Sequence, residues 1–296
     1  MLGKSILNSF KKEKIKIFSP NRNELNLFSR RKIENYLKKN RFTHVINCAA
    51  RVGGILDNTN NQILYYESNM EMNYNLIYTC KKFEIKNFLN LGSSCMYPKN
   101  YNKKMNEKML MTGPLEETNF TYALSKLSAA YYLNSIRSKY NFNYSTLIPC
   151  NLFGPYDKFD EIKSHLIPAI INKLQKAKKY KENQIVLWGN GKVKREFLYI
   201  ENLSNYIVKL ILNNVSLPPF LNLGASKDHS ILFYYKKIMD LSNLNLKIVY
   251  DLSKPDGMKR KLIDSSLAIN KYGWKVNFDL DYGIKKTIKF YKNNYV

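Results

Sequence analysis

The chain has 296 residues, 45% of them hydrophobic, enough for one large or two modest domains with a proper core. Its four cysteines, Cys48, Cys80, Cys95 and Cys150, never come closer than fifteen residues, which excludes a CxxC metal pair and argues against a disulfide framework; the usage fits reduced thiols and a cytoplasmic location, with no metal. The net charge of +25, from 48 Lys+Arg against 23 Asp+Glu, would suit a polyanion, but the bases lie scattered in pairs such as Lys11-Lys12 and Lys178-Lys179 without any RRM, KH or zinc-finger signature, so a solvated basic surface and no nucleic-acid partner are expected.

No apolar run reaches the roughly 18 residues of a membrane span, and no membrane partner is expected. The opening "MLGKSILNSFKKEK" holds a short apolar patch broken by Asn8, which is not a signal peptide. "KIKIF" (14–18) then alternates like a strand, and "SRRKIENYLKKN" (29–40) has helical spacing. "HVINCAA" (44–50) reads as a strand, 67–83 as a helix, "NFLNLGS" (87–93) as a strand, about 121–140 as a long helix, and "YSTLIPC" (144–150) as a strand. Strands alternating with helices predict βαβ units and a parallel, doubly wound Rossmann-type sheet. After Gly154 the pattern loosens. A helix over 164–179, a strand–turn–strand over 185–200 and a closing helix over about 282–292 predict a smaller C-terminal α+β domain. The expected division is a cofactor domain over 1–154, with 196–226 returning to it, and a substrate domain over 155–195 and 227–296.

The sharpest chemical signal is "YALSK", Tyr122 to Lys126. Four residues on a helix put both side chains on one face. A phenol ionises near 10, and an ammonium beside it would stabilise the phenolate. Lys126 is also placed to reach the ribose of a nicotinamide cofactor. Ser93, at the end of an earlier strand, could bond the same carbonyl that Tyr122 serves. Cofactor type can be read separately. An NAD enzyme usually places an acid after the second Rossmann strand. Here "KIKIF" runs into "SPNR" with no acid before Glu24, and Arg22 is placed to meet a 2′-phosphate, which favours NADPH.

A Ser–Tyr–Lys set on a Rossmann sheet resembles the extended, nucleotide-sugar branch of the short-chain dehydrogenase/reductases. The detail resembles the GDP-L-fucose synthase family, which acts on GDP-4-keto-6-deoxy-D-mannose as 3,5-epimerase and 4-reductase. The stretches that carry this are "AARVGGILDN" (49–58), "GSSCMYPK" (92–99), "TYALSK" (121–126), "CNLFGPYDKFD" (150–160), "SHLIPAI" (164–170), "WGNGKVKREFLYIENL" (188–203) and "KPDGMKRKLID" (254–264). The resemblance implies that Cys95 and His165 are the acid–base pair at carbons 3 and 5, and that Ser93, Tyr122 and Lys126 serve the reduction. It implies cofactor contacts from Gly3, Arg22, Leu91, Gly92, Ser93, Ser94, Lys126, Pro149, Cys150, Asn151, Leu152 and His165. It implies GDP-sugar contacts from Trp188, Arg195 and Asp256, with Lys173 standing where the family often has arginine. The thiols of Cys48, Cys80 and Cys150 are read as structural. A homodimer through the helices near 67–83 and 121–140 is the family expectation.

One stretch departs from the family. "MLGKSIL" resembles only the end of the glycine-rich GxxGxxG turn, with Gly3 as its last glycine. The expectation is that a first, central strand and two glycines lie upstream, about 13 residues, or that the chain is a truncated, non-catalytic homologue. On that reading "KIKIF" and "NFLNL" flank a gap, and the chain as given folds poorly or binds NADPH weakly. Another nucleotide-sugar epimerase or reductase is the alternative activity.

Overall fold

The computed structural model describes residues 1–11, 13–99, 103–160, 164–253 and 258–295. The chain opens with α1 (Leu2–Phe10), whose Ile6 and Phe10 are buried, and α2 (Arg30–Lys38), capped where the Ser29 side chain accepts from the Lys32 amide. Strand β1 (His44–Asn47) follows, then the short α3 (Ile55–Asn60) and the long α4 (Gln62–Lys82). Next come β2 (Asn87–Leu91), α5 (Phe120–Tyr140), β3 (Asn143–Pro149) and the short β4 (Asn151–Phe153). Helix α5 stops at Asn141, which takes the left-handed conformation, φ 55°, that asparagine tolerates well. The remainder is α6 (Leu166–Tyr180), β5 (Gln184–Trp188), β6 (Lys194–Tyr199), α7 (Ile200–Leu212), β7 (Phe220–Leu223), β8 (Asp228–Ser230), α8 (Ile231–Leu241), β9 (Lys247–Asp251), β10 (Arg260–Lys261), α9 (Ser266–Tyr272) and α10 (Leu280–Tyr295).

The main sheet is parallel throughout, in the order β1-β2-β3-β7, as an α/β Rossmann-type fold requires. Strands β2, β3 and β7 are almost wholly buried, the pattern of a sheet covered on both faces, while β1 at the edge is mostly half-buried. Helices α4 and α5 pack on each other, with Ile77, Cys80, Phe88, Leu133, Ile136 and Tyr144 in one core cluster. Helices α1 and α7 pack together, sharing a Ser5–Ser204 hydrogen bond of 2.9 Å. Two smaller sheets follow. Strands β10, β6 and β4 run in parallel with β8 antiparallel to β6, and β5 pairs with β9. A second core gathers Ile167, Ile171, Leu174, Leu187, Tyr234 and Ile284 beneath α6, α8 and α10. Strand β7, far along the chain, pairs with β3 in the first sheet, whereas β6 belongs to the second.

Two expectations need correction. Among the described residues, 14–18 is extended but forms no strand. A strand needs a ladder partner, and Ile15 and Ile17 are each about two-fifths exposed, at 41% and 40%. Only Phe18 is anchored, edge-on to Phe42 with centroids 5.1 Å apart. Nor does "NFLNL" border a gap. As β2 it pairs on both sides, with β1 and with β3, and β1 forms that edge of the sheet among the described residues.

No helix among the described residues is long and apolar enough to cross a membrane. None of their His, Cys, Asp and Glu side chains group as a metal site.

Candidate active site

The site forms where β1, β2 and β3 end. Gly92 follows β2 with its amide on the Leu147 carbonyl at 2.8 Å. A Cβ there would stand 2.9 Å from both Met96 Sδ and Thr146 Cγ2, so only glycine lets the chain turn so tightly against β3. The turn leads into a single 3-10 turn, Ser94–Met96, which Ser93 caps by accepting the Cys95 amide at 3.2 Å. Ser93 thus fixes the backbone that carries Cys95, and its side chain also hydrogen-bonds the Tyr122 phenol. Ser94 is buried beneath them and Cys95 is half-buried.

Helix α5 brings Tyr122 and Lys126 to this point on one face, both buried. The chemistry of the pair differs from the sequence expectation. Burial pushes the Tyr122 phenol up, the neighbouring Cys95 adds to that, and only the Ser93 bond opposes it. The Lys126 ammonium donates to the Leu91 carbonyl at 2.8 Å. Its own pKa is lowered to about 8 by burial, with Cys48 opposing. Tyr122 is therefore held as an acid rather than eased toward phenolate. Desolvation outweighs any help from Lys126, because both groups sit in the same dry environment.

His165 caps the start of α6 by position, without a side-chain bond to the helix. Burial pulls its imidazole below the ordinary histidine range, and Asp157 opposes that pull. Asp157 is itself pushed up by burial, with His165 the largest opposing influence. One of its oxygens accepts the Lys158 amide at 2.9 Å and the other lies buried without a partner. The Met1 amine lies in the fields of Asp157 and Cys48, and Cys48 lies in that of Lys126. These neighbours link the His165 side of the cleft to the Tyr122 side.

The residues expected to hold the cofactor are placed as follows. Gly3 lies in the first turn of α1, where a Cβ would sit 3.7 Å from the Cys48 Cβ at the end of β1. Pro149 pairs with Leu223, and the Cys150 amide reaches the Leu223 carbonyl at 3.3 Å. Burial drives the Cys150 thiol well up, as a structural cysteine requires. Asn151 donates to the Glu196 carbonyl at 2.9 Å, and Leu152 sits beside it on β4. Arg22 stands exposed in a turn tied by Asn21 and Glu24. These residues fit a dinucleotide: the first turn of α1 lies against the end of β1, and Lys126 supplies a buried ammonium at the end of β2.

Of the sugar-nucleotide residues, Lys173 and Trp188 come together. The Lys173 ammonium lies 4.9 Å from the Trp188 ring centroid and donates to the Val186 carbonyl at 3.1 Å. Arg195 donates to the Met258 carbonyl at 2.6 Å. Asp256 and the rest of "KPDG" lie outside the described residues. Sequence reasoning passed over four groups. Lys261 donates to the Cys95 sulfur at 3.3 Å, Asp157 faces His165, and Tyr65, which lies in the field of Tyr122, donates to Asp57 at 2.7 Å. All four lie in or beside stretches already singled out, but nothing in their spacing marks them.

A parallel sheet with a serine, a tyrosine and a lysine converging at its carboxyl ends defines a nicotinamide-dependent oxidoreductase of the short-chain type. The family model described as "NAD dependent epimerase/dehydratase family" matches residues 1–224, and the chain belongs to that family, within its group of GDP-sugar epimerase/reductases. It is 42% identical to the GDP-L-colitose synthase of Yersinia pseudotuberculosis over 99% of this chain and 95% of that protein. It is 33% identical to the GDP-L-fucose synthase of Azorhizobium caulinodans, over 98% and 93%. The fold matches a GDP-L-fucose synthetase from Naegleria fowleri bound to NADP, with a TM-score of 0.88, 26% identity, and 99% and 90% of the two chains covered.

Proposed function

We propose that the protein converts GDP-4-keto-6-deoxy-D-mannose to GDP-L-fucose, by 3,5-epimerisation followed by reduction of the 4-ketone with NADPH. The observation that carries this reading is the single 3-10 turn that sets Cys95 beside Ser93 and Tyr122, over the buried Lys126. A lone reductase needs Ser93, Tyr122 and Lys126; a half-exposed thiol among them is the extra group an epimerase needs.

The 4-ketone acidifies the carbons on either side of it. Cys95 takes a proton from one face, and His165 returns one from the other. Burial works against a protonated His165, and the opposing pull of Asp157 is what an acid at this position needs. Tyr122, held protonated by burial, then gives its proton to the oxygen at carbon 4, and Ser93 fixes the phenol's direction. NADPH bound at the strand ends would supply the hydride for carbon 4. Lys126 and the first turn of α1 would hold it, with Leu91–Ser94 and Pro149–Leu152 along its length. Lys173 would act on the diphosphate as a point charge, since it lacks the fork of an arginine; Trp188, Arg195 and Asp256 complete the GDP-sugar site.

A second reading comes from the higher identity to the Yersinia colitose synthase. Colitose lacks the oxygen at carbon 3, so only carbon 5 would need inversion. The deciding experiment offers GDP-4-keto-6-deoxy-D-mannose and its 3-deoxy counterpart separately, with NADPH in deuterated water. Preference for the first, with deuterium at carbons 3 and 5 of a fucose product, upholds the main reading. A higher kcat/KM for the 3-deoxy sugar replaces it with the second. NADPH oxidation with neither sugar sinks both.

Arg22 is the proposed partner of the 2′-phosphate. A charge-assisted bond of this kind is worth about 1.5–3 kcal/mol, or roughly ten- to a hundredfold in affinity. Arg22→Ala should shrink the preference for NADPH over NADH by that factor, read from Kd values for the two cofactors. An unmutated protein that binds both equally would remove the role.

The remaining proposals concern architecture. The cofactor domain spans 1–154 with 196–226, and the substrate domain takes 155–195 and 227–296. Two copies pair through α4 and α5, where Tyr74 and Tyr140 stand exposed and Arg30 covers the Tyr78 ring at 4.4 Å. Sedimentation of the chain carrying Tyr74→Glu should show monomers if that face is the interface.

A further inference from the structure

We propose that Lys261, steadied by Glu116, is a positioning residue for Cys95, supplying the cation against which the sulfur acts as a base. The inference rests on the reading of Cys95 given above. Lys261 Nζ donates to Cys95 Sγ at 3.3 Å and stands 3.6 Å from Glu116 Oε2. The lysine is only 8% exposed, and a buried ammonium is costly unless it is paired. Here the pairing is divided between a carboxylate and a thiol.

The placement is built into the fold. Lys261 lies in β10, opposite Arg195 of β6. Two residues on, the Ile263 amide donates to the buried Glu196 carboxylate at 3.1 Å. The intervening Leu262 carbonyl accepts the Met105 amide at 3.0 Å. Glu116 is held in turn by Thr118 at 3.2 Å and Asn119 at 3.1 Å. The ammonium therefore has little freedom to swing away from the sulfur.

The proton balance is simple. Cys95 in its base form takes a proton from the carbon beside the ketone, and the C–H electron pair moves into the enolate. The sulfur becomes a neutral thiol, and the negative charge passes to the enolate oxygen. Lys261 keeps its proton and charge throughout. Its part is to hold the sulfur aimed before the transfer, and to hold the thiol in place after it.

Iodoacetamide reads the sulfur directly, whatever the substrate. The alkylation rate of Cys95, followed by peptide mass, is compared in the unmutated chain and in Lys261→Met, Lys261→Gln and Lys261→Arg, with circular dichroism as the check on folding. We expect a fall of about tenfold or more with methionine and glutamine, and a rate within about threefold of the unmutated chain with arginine. If methionine prevents folding, the glutamine and arginine pair decides. Unchanged alkylation in the neutral variants overturns the proposal, as does an equal fall with arginine, which would mark a packing role. A parallel measurement follows solvent deuterium into GDP-4-keto-6-deoxy-D-mannose, where the neutral variants should lose about tenfold. No incorporation by the unmutated protein would defeat the proposed function and leave the alkylation result to decide on Lys261.

Discussion

Replacing Cys95 with serine is expected to cut the exchange of solvent deuterium at the carbons beside the sugar ketone by about a hundredfold to ten-thousandfold, the range that one general acid–base group contributes. NADPH should bind unchanged. The two effects separate because the turn that carries residue 95 is fixed by its backbone, through the amide that donates to Ser93 Oγ, and not by its side chain. Serine keeps that amide and the shape. It loses a group able to take a proton near neutral pH, since a hydroxyl is a far weaker acid than a thiol. Tyr122, Ser93 and Lys126 remain as they were, so an already epimerised 4-keto sugar should still be reduced. Unchanged deuterium uptake in the serine variant would return Cys95 to the role most free cysteines have, a small apolar filler.

What the sequence made legible follows a physical pattern. Residues that act within one turn of each other could be read. Tyr122 and Lys126 share a helical face and Ser93 ends the strand before them, so local spacing placed these three; Cys95, beside Ser93, was singled out through the family resemblance. Helices α2, α4 and α5 were also readable in outline, but the short α3 was not. Partners distant in the chain could not be read. Lys261 reaches Cys95 across 166 positions, and in a chain with 48 lysines and arginines no spacing marks one base among the rest. Asp157 was likewise hidden inside a stretch noted for its resemblance, because its effect on His165 depends on burial and not on pattern. "KIKIF" failed for a different reason. Alternation specifies a surface that could pair, but a strand exists only with a neighbour to take its hydrogen bonds. The order of parallel strands misled in the same way. Each crossover can land on either side, and only the packing of α4 and α5 decides that β1 lies against β2.

Replacing Lys126 with methionine should make the protein more stable at neutral pH while disabling it. The ammonium is buried, and its pKa falls from 10.5 to about 8. A folded-state value below the unfolded one means that the unfolded chain binds more protons between those two pH values. Stability then rises with pH across that interval, and below about 8 the penalty for burying the charge is present in full. Its size is about 3 kcal/mol, set against about 1 kcal/mol for the bond to the Leu91 carbonyl that methionine cannot make. The net gain for methionine near pH 7 is therefore about 2 kcal/mol. Denaturant melts of the two proteins should differ by about that amount at pH 7, draw together as pH rises, and show the wild type no longer at a disadvantage above about 10.5. Adding NADPH should reverse the order at pH 7. A ligand that uses the ammonium stabilises the protein that has one by more, about 2.7 kcal/mol at a hundred times its Kd, and the weaker-binding variant by less. A buried positive charge that weakens the empty fold and strengthens the loaded one is what a cofactor anchor should look like, as against a lysine that serves packing. If methionine destabilised the protein at pH 7, the Leu91 bond would outweigh the burial, and Lys126 would be a structural clamp first. If both proteins gained equally from NADPH, the cofactor would not touch Lys126, and the role given to it in reduction would have to pass to another cation.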